Sequence, residues 1–230
     1  MSASAKNLSM VRHLVLKDWH FNRWAILGYL AAGALSLLLL ALGSEWWFYA
    51  GSILLITVLI TVGIHLPMAT IINERKEQTL AFVMSLPISH REYTTAKILA
   101  NLLIVLLPWA ALTFGCLALL AVRTRLSAAG LIPFAAVALT EILVGSCLMV
   151  AVALVSESLE WTVGAIVLTN LMFQGFLYWV SHIPSMAAAM KSGTVTWSAL
   201  AIELLLGEAG AILLLLGLTF YLQSRKKDFL

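Results

Sequence analysis

Two glutamates lie near the middle of long apolar stretches, where an ionisable side chain is costly. Glu141 falls in one such stretch and Glu208 in another. A charge at the centre of a membrane costs at least about 2.5–3.5 kcal/mol on insertion scales, so such a carboxyl group indicates a functional site. The pair could line a pathway for a cationic or zwitterionic substrate. A structural or gating role is the preferred interpretation, with the carboxyl groups protonated or bonded across helices to Ser146, Asn170 or Gln174.

Other residue types that commonly support catalysis form no recognisable constellation. The five histidines are scattered, and His65, which Pro67 follows closely, joins Glu141, Asn170, Gln174 and Glu208 as a pathway or gating candidate. The sequence contains no G-x-x-x-x-G-K-[ST] phosphate loop, no H-E-x-x-H motif and no G-x-S-x-G elbow. We therefore expect a protein that is not an enzyme and holds no metal or cofactor of its own.

The composition indicates a membrane protein. Of the 230 residues, 62% are apolar and 11% are charged, and the mean hydropathy is +0.99. A soluble domain of this size cannot bury that much apolar surface. These numbers exclude a soluble globular protein and a disordered chain. With a net charge of only +3, they also exclude a nucleic-acid binder built on a basic surface.

Six apolar stretches approach or exceed the roughly 20 residues needed to cross a bilayer. They span residues 24–42, 48–72, 98–122, 131–155, 162–180 and 197–222. Each must satisfy its own backbone hydrogen bonds in lipid, so each is expected to be a helix. The sequence thus predicts an all-α polytopic membrane protein, with residues 1–230 forming one transmembrane domain.

The distribution of basic residues predicts that both termini lie in the cytoplasm. With the N-terminus inside, 11 of the 14 lysines and arginines are cytoplasmic, and only Arg123, Arg125 and Lys191 lie outside. A cleaved signal peptide ending near residues 41–43 is the less favoured alternative, because 23 residues precede the first apolar run. Residues 6–23 are moderately amphipathic and basic, which predicts a helix lying on the inner membrane surface.

The segment 73–97, between the second and third spans, looks structured. Asn73 could cap a short helix, and Pro87 disfavours helix just before it. Ser89-x-x-Glu92 is a capping box that would start the helix leading into the third span. On a helical wheel Phe82 points away from the apolar side, so it is a candidate knob for a pocket on a partner.

Within this segment the run E-R-K-E-x-T-L-x-x-x-x-S-L-P-I-S-x-R-E-Y-x-x-x-K, from Glu74 to Lys97, resembles the cytoplasmic signature of type-2 ABC transporter permeases (the ABC-2 class). The six-span layout, the interfacial N-terminal helix and the chain length extend the resemblance to the whole chain. Gln78 stands where glycine is frequent in that family, Ala81 where glutamate is frequent, and Val83-Met84 where leucines are usual.

The resemblance implies a permease subunit of an ATP-driven exporter in the bacterial inner membrane, as in multidrug or antibiotic efflux. Segment 73–97 would be a coupling loop that sits in a groove of a cytosolic ABC ATPase, present in two copies and carrying ATP and Mg. A second permease chain, as a homodimer, would complete the pathway. The positions taken as coupling residues, with Phe82 and Gln78 added from the helical reading, are Glu74, Arg75, Gln78, Thr79, Phe82, Leu86, Pro87, Ser89 and Glu92.

Three alternatives remain open from the sequence. The haem-exporter type of permease that serves cytochrome c maturation has a similar size and layout. An ion- or proton-coupled secondary transporter could use Glu141 and Glu208 without any ATPase. A membrane-embedded enzyme acting on lipids would need clustered polar groups near one interface, and the sequence shows none. The expected partners are the proteins named above and the lipid bilayer. We expect no nucleic-acid partner.

Overall fold

The structure, a computed structural model, describes residues 3–42, 44–76, 90–122 and 128–225, with side chains for 10–42, 44–74, 92–122 and 129–225. In this part of the chain all regular structure is helical. The helices are α1 (Ala3–Ala41), α2 (Glu45–Pro67), α3 (Asn73–Lys76), α4 (His90–Val122), α5 (Ile132–Ser156), α6 (Leu159–His182), α7 (Pro184–Lys191) and α8 (Ala199–Arg225).

Within these ranges, six helical stretches are long and apolar enough to cross a membrane. They confirm the six predicted spans as elements and support a multi-pass membrane protein. The helix ends follow local signals: Ser44 has extended backbone angles and its Oγ accepts a hydrogen bond from the Trp47 N–H at 3.4 Å. At the C-terminal end of the fourth span, Glu157 adopts the left-handed conformation (φ 56°) and ends α5. Helix α7, between the fifth and sixth spans, was not predicted.

Helix α5 forms the centre of the bundle. It packs against α2, α4, α6 and α8, and 72% of its most apolar stretch is buried within the chain. Helix α1 packs instead on α2 and α4. By contrast, only 11% of the corresponding stretch of α6, and the same share of α8, is buried. The apolar faces that these two helices leave open suit contact with lipid or with another chain.

The N-terminal segment differs from the prediction of a separate interfacial helix over 6–23. Helix α1 runs unbroken from Ala3 to Ala41, because neither glycine nor proline interrupts the chain near residue 23. Its early part is anchored by packing, since Leu14 is buried with Tyr93 and Ala96 of α4, and Val11 and Val15 pack against them. The first span is therefore the continuation of the N-terminal helix.

Pro67 changes the helical register at the end of α2. Proline lacks an N–H and its ring crowds the carbonyl four residues earlier, and the chain continues through a π-helical turn, Met68–Ile72. The Asn73 N–H then donates to the carbonyl of Met68, five residues earlier. Asn73 has helical backbone angles (φ −66°, ψ −36°), so it does not cap a new helix as predicted. Helix α3 continues directly from the π-helical turn and ends at Lys76.

Candidate functional site

A cluster of four charged side chains ties α1, α3 and α4 together. The Lys97 Nζ lies 2.8 Å from Asp18 Oδ2 and 2.8 Å from Glu74 Oε2. The Lys17 Nζ lies 2.6 Å from the other Glu74 oxygen, Oε1, and 3.6 Å from Asp18 Oδ1. Each carboxylate thus bridges both ammonium groups, and the two positive and two negative charges balance.

Polar groups of the π-helical turn and of α4 complete the cluster. The Lys97 Nζ donates its third hydrogen bond to the Thr70 carbonyl at 3.0 Å. The Thr70 hydroxyl donates to Asn101 Oδ1 at 2.7 Å, and the Asn101 amide donates to the Lys97 carbonyl at 2.9 Å. Lys97 and Asn101 are only 2% and 0% exposed. Full pairing is what makes such burial tolerable, because an unpaired buried charge is expensive.

Helical spacing explains how these side chains meet. Tyr93, Lys97 and Asn101 recur every four residues along α4, which places them on one face. The Tyr93 hydroxyl donates to Glu74 Oε2 at 3.4 Å, and the Lys97 ammonium lies 5.9 Å from the centre of the Tyr93 ring. The π-helical turn matters as well, because it fixes the direction in which the Thr70 carbonyl and the Glu74 side chain point.

The lysines control the protonation of Glu74, which lies beyond the last residue of the second span. Burial alone would raise the pKa of this carboxyl group. The Lys97 ammonium and the hydrogen bond from Lys17 outweigh that effect, so the pKa of Glu74 is lowered from its ordinary value. Glu74 is therefore ionised at neutral pH, and the cluster is a network of ion pairs.

The predicted coupling residues fall mostly outside the described side chains. Glu74 is part of the cluster, and Glu92 is half-buried in the first turn of α4, which begins at His90. The side chains outside the described part are those of Arg75, Gln78, Thr79, Phe82, Leu86, Pro87 and Ser89. The cluster nevertheless lies where the segment 77–89 leaves α3 and returns to α4.

The predicted pathway residues separate into two groups. Glu141 and Asn170 line one small cavity between α2, α5 and α6, of about 30 Å³. Glu208 on α8 is buried and lies close enough to Glu141 for the two carboxyl groups to interact electrostatically. His65 instead packs edge-on against Tyr29, with ring centres 5.9 Å apart, and Gln174 is exposed on α6. Neither of these two residues lines the cavity.

Ser146 and Asn170, which were expected to bond to the glutamates, donate instead to backbone carbonyls of their own helices. The Ser146 hydroxyl donates to the carbonyl of Ile142 at 2.9 Å, and the Asn170 amide donates to that of Ile166 at 2.8 Å. Such bonds to the preceding helical turn are common for these residue types in helices. Among the described residues neither carboxyl oxygen of Glu208 has a hydrogen-bond partner, so the cross-helix bonding expected for it is absent there.

Sequence reasoning missed most of the ion cluster. Lys17 and Lys97 contributed only to the count of basic residues, although Lys97 ends the Glu74–Lys97 run. Asp18 is the one acidic residue among the first 40, within a basic segment, and that isolation was the available signal.

No family model, no curated protein and no solved structure matches the chain.

Proposed function

We propose that this chain is the membrane-spanning permease subunit of an ATP-driven ABC exporter of the bacterial inner membrane. Segment 73–97 acts as the coupling loop and docks on a separate cytosolic ATPase, which binds ATP and Mg. Both termini face the cytoplasm, and two copies of the chain pair to form the pathway. The resemblance of the Glu74–Lys97 run to ABC-2 permeases supports this reading, as do the six helices that are long enough to span a membrane.

The observation that carries the proposal is the ion cluster at both ends of the loop. Glu74 precedes the segment 77–89 and Lys97 follows it, and their side chains are 2.8 Å apart. Asp18 and Lys17 join the same network from α1. A force applied to the loop therefore reaches three membrane helices through buried ion pairs, as a coupling device requires.

The π-helical turn supplies a place where such a force can act. Single π-helical turns inside helices are frequent at functional sites, and this one forms the end of the second span, just before Glu74. Movement of the loop would shift Glu74, Lys97 and Asp18 together, and α1 and α4 with them. The cavity beside Glu141, about 30 Å³, is far below the roughly 300–1,000 Å³ of a small-molecule site. The cavity beside Glu141 is therefore too small to hold such a molecule in this conformation.

Affinity purification from native membranes tests the proposal. A tagged chain is solubilised and compared with Phe82→Ala, and with Phe21→Ala as a matched control, since Phe21 is 76% exposed on α1. We expect the wild type and Phe21→Ala to retain an ATPase subunit that hydrolyses ATP, and Phe82→Ala to lose most of it. Folded wild-type protein that purifies without any ATPase would contradict the proposal.

A second candidate is an ion- or proton-coupled secondary transporter. The observation in its favour is the buried Glu208, whose carboxyl group has no hydrogen-bond partner among the described residues and lies near Glu141. Such a transporter needs no ATPase. It would keep its transport activity in the Phe82→Ala variant, whereas the proposed exporter would lose it.

A further inference from the structure

Glu208 is buried in the bundle without compensation. It lies in α8, is 6% exposed, and neither of its carboxyl oxygens has a hydrogen-bond partner in the part of the chain that the structure describes. The free energy needed to bury an ionised carboxylate exceeds what any single contact contributes. A buried carboxyl group is therefore paired with a cation or is neutral. Either a cation or a proton must therefore neutralise the carboxyl group of Glu208.

Among the described side chains, the neighbouring helices offer it no positive partner. Helix α8 packs mainly on α5 and α4. The ionisable groups of α5 are Glu141, which acts on Glu208 electrostatically, and the thiol of Cys147. Helix α4 has no ionisable side chain between Lys97 and Cys116. Lys97 itself is held by Asp18 and Glu74.

The described side chains of the more distant helices contribute no cation to Glu208 either. The side chain of Ile212, one turn further along α8, packs in a cluster with Ile26 of α1 and Val62 of α2. On α1, Arg23 and Tyr29 each lie three residues from Ile26, and on α2 His65 lies three residues from Val62. The exposed Arg23 lies over the Trp24 ring at 5.4 Å, and Tyr29 and His65 pack on each other. Towards the other end of α8, Ala201 packs with Val180 of α6 and Met186 of α7. There His182 Nδ1 lies 2.7 Å from the Tyr178 carbonyl, and Lys191 is exposed.

The space around the two carboxyl groups limits which external cation could neutralise Glu208. Both carboxyl oxygens of Glu208 are inaccessible to water. Glu208 does not line the cavity at Glu141, which has a volume of about 30 Å³ and holds about one water molecule. A metal ion that keeps part of its hydration shell, or an organic ammonium group, needs more room. A proton needs none, and it also removes the repulsion between two neighbouring carboxylates, as happens in carboxyl pairs that share a site.

We propose that Glu208 is a proton-binding group on the side of α8 that packs against α5, held as a neutral carboxylic acid in this conformation, with Glu141 of α5 as an acidic neighbour. Any movement that admits water between α5 and α8 would let the proton dissociate and leave a carboxylate exposed to the opening. Proton release and opening are then linked, and the linkage is reciprocal. The inference stands apart from the proposed exporter function, because it needs no ATPase and no substrate.

Infrared spectroscopy of the purified chain in lipid nanodiscs tests the proposal directly. We expect the carbonyl-stretch band of a protonated carboxyl group at neutral pH in the wild type and its loss in Glu208→Gln. Glu203→Gln is the matched control, because Glu203 lies on the same helix and is exposed, and it should leave the band intact. A wild type without the band, or a band that survives in Glu208→Gln, would overturn the proposal.

Chemical labelling covers the case in which Glu208→Gln does not fold. Dicyclohexylcarbodiimide adds to protonated carboxyl groups in apolar surroundings, and peptide mass spectrometry locates the adduct in the wild-type chain. We expect labelling of Glu208 or Glu141 at neutral pH, several-fold above that of Glu203, and a decrease as the pH is raised. Labelling of Glu208 and Glu141 no stronger than that of Glu203, or no labelling of either, would overturn the proposal.

Discussion

The ammonium group of Lys97 and the carboxylate of Asp18 meet at 2.8 Å, although 79 positions separate the two residues in the sequence. Asp18 lies in α1 and Lys97 in α4, so this contact fixes the N-terminal helix to the helix that follows the proposed coupling loop. Buried ion pairs add little net stability, but loss of one partner is costly because it leaves the other charge unpaired. The contact therefore specifies position more than it stabilises the fold.

Replacement of Lys97 by methionine should strongly destabilise the protein. The variant keeps the aliphatic volume but leaves Asp18 and Glu74 with Lys17 as their one remaining cation in the cluster. Loss of one partner from a buried pair costs about 3–5 kcal/mol. Unfolding in detergent, followed by tryptophan fluorescence, measures this loss, with Lys191→Met on the exposed face of α7 as the control. A Lys97→Met variant as stable as Lys191→Met would show that the cluster is not formed.

Removal of both members of the Asp18–Lys97 pair should be milder than the sum of the two single changes. Asp18→Asn with Lys97→Met leaves the neutral pair of Lys17 and Glu74, which are 2.6 Å apart. Contacting residues typically show interaction energies of about 0.5–3 kcal/mol in such cycles. The cycle is measured as unfolding free energies of the wild type, both single variants and the double variant. Additive effects would argue against direct contact between the two side chains.

Acid should weaken the cluster through Glu74. The pKa of Glu74 is lowered in the folded chain, so the unfolded chain binds the proton first as the pH falls. The stabilising contribution is full above the ordinary glutamate pKa of about 4.3 and is lost as the pH falls through the lower folded value. The difference in melting temperature between the wild type and Glu74→Gln should be constant from pH 7 to about 5 and shrink below that. A difference that grows on acidification would have the wrong sign.

Gly51 should not tolerate a methyl group. A Cβ added there would lie 2.8 Å from the Leu40 nitrogen and 2.8 Å from the Ser36 carbonyl oxygen, and these backbone atoms of α1 cannot move aside as a side chain can. Overpacking typically costs about 1–3 kcal/mol. Gly28→Ala is the control, because nothing lies within 4 Å of a Cβ at Gly28. Equal melting temperatures for the two variants would contradict the close contact of α1 and α2.

The spans were predictable because each is determined locally. Long apolar runs must be helical in lipid whatever surrounds them, and the start of α2 carries its own capping residue, Ser44. The prediction of a separate N-terminal helix over 6–23 was wrong because an amphipathic pattern does not define where a helix ends. No glycine or proline breaks the chain between residues 6 and 27, so the helix continues into the first span.

The ion cluster could not be predicted because it depends on rotation and register between helices. Asp18, Thr70 and Lys97 meet only when three helices take particular rotations about their axes. The π-helical turn after Pro67 shifts one of them by a residue. Glu74 was selected from the sequence as a coupling residue, but its lysine partners were not. The placement of Gln174 and His65 away from the cavity likewise depends on which side of each helix faces α5.

Photo-crosslinking at position 82 tests most directly whether this loop contacts an ATPase. Phe82 is replaced by p-benzoylphenylalanine in cells that produce the chain at native levels, and the same substitution at Phe21, exposed on α1, serves as the control. The account predicts that position 82 yields an adduct with a soluble subunit containing a phosphate-binding loop, and that position 21 does not. If folded protein labelled at position 82 gives no such adduct, the proposed coupling of this chain to an ATPase is contradicted.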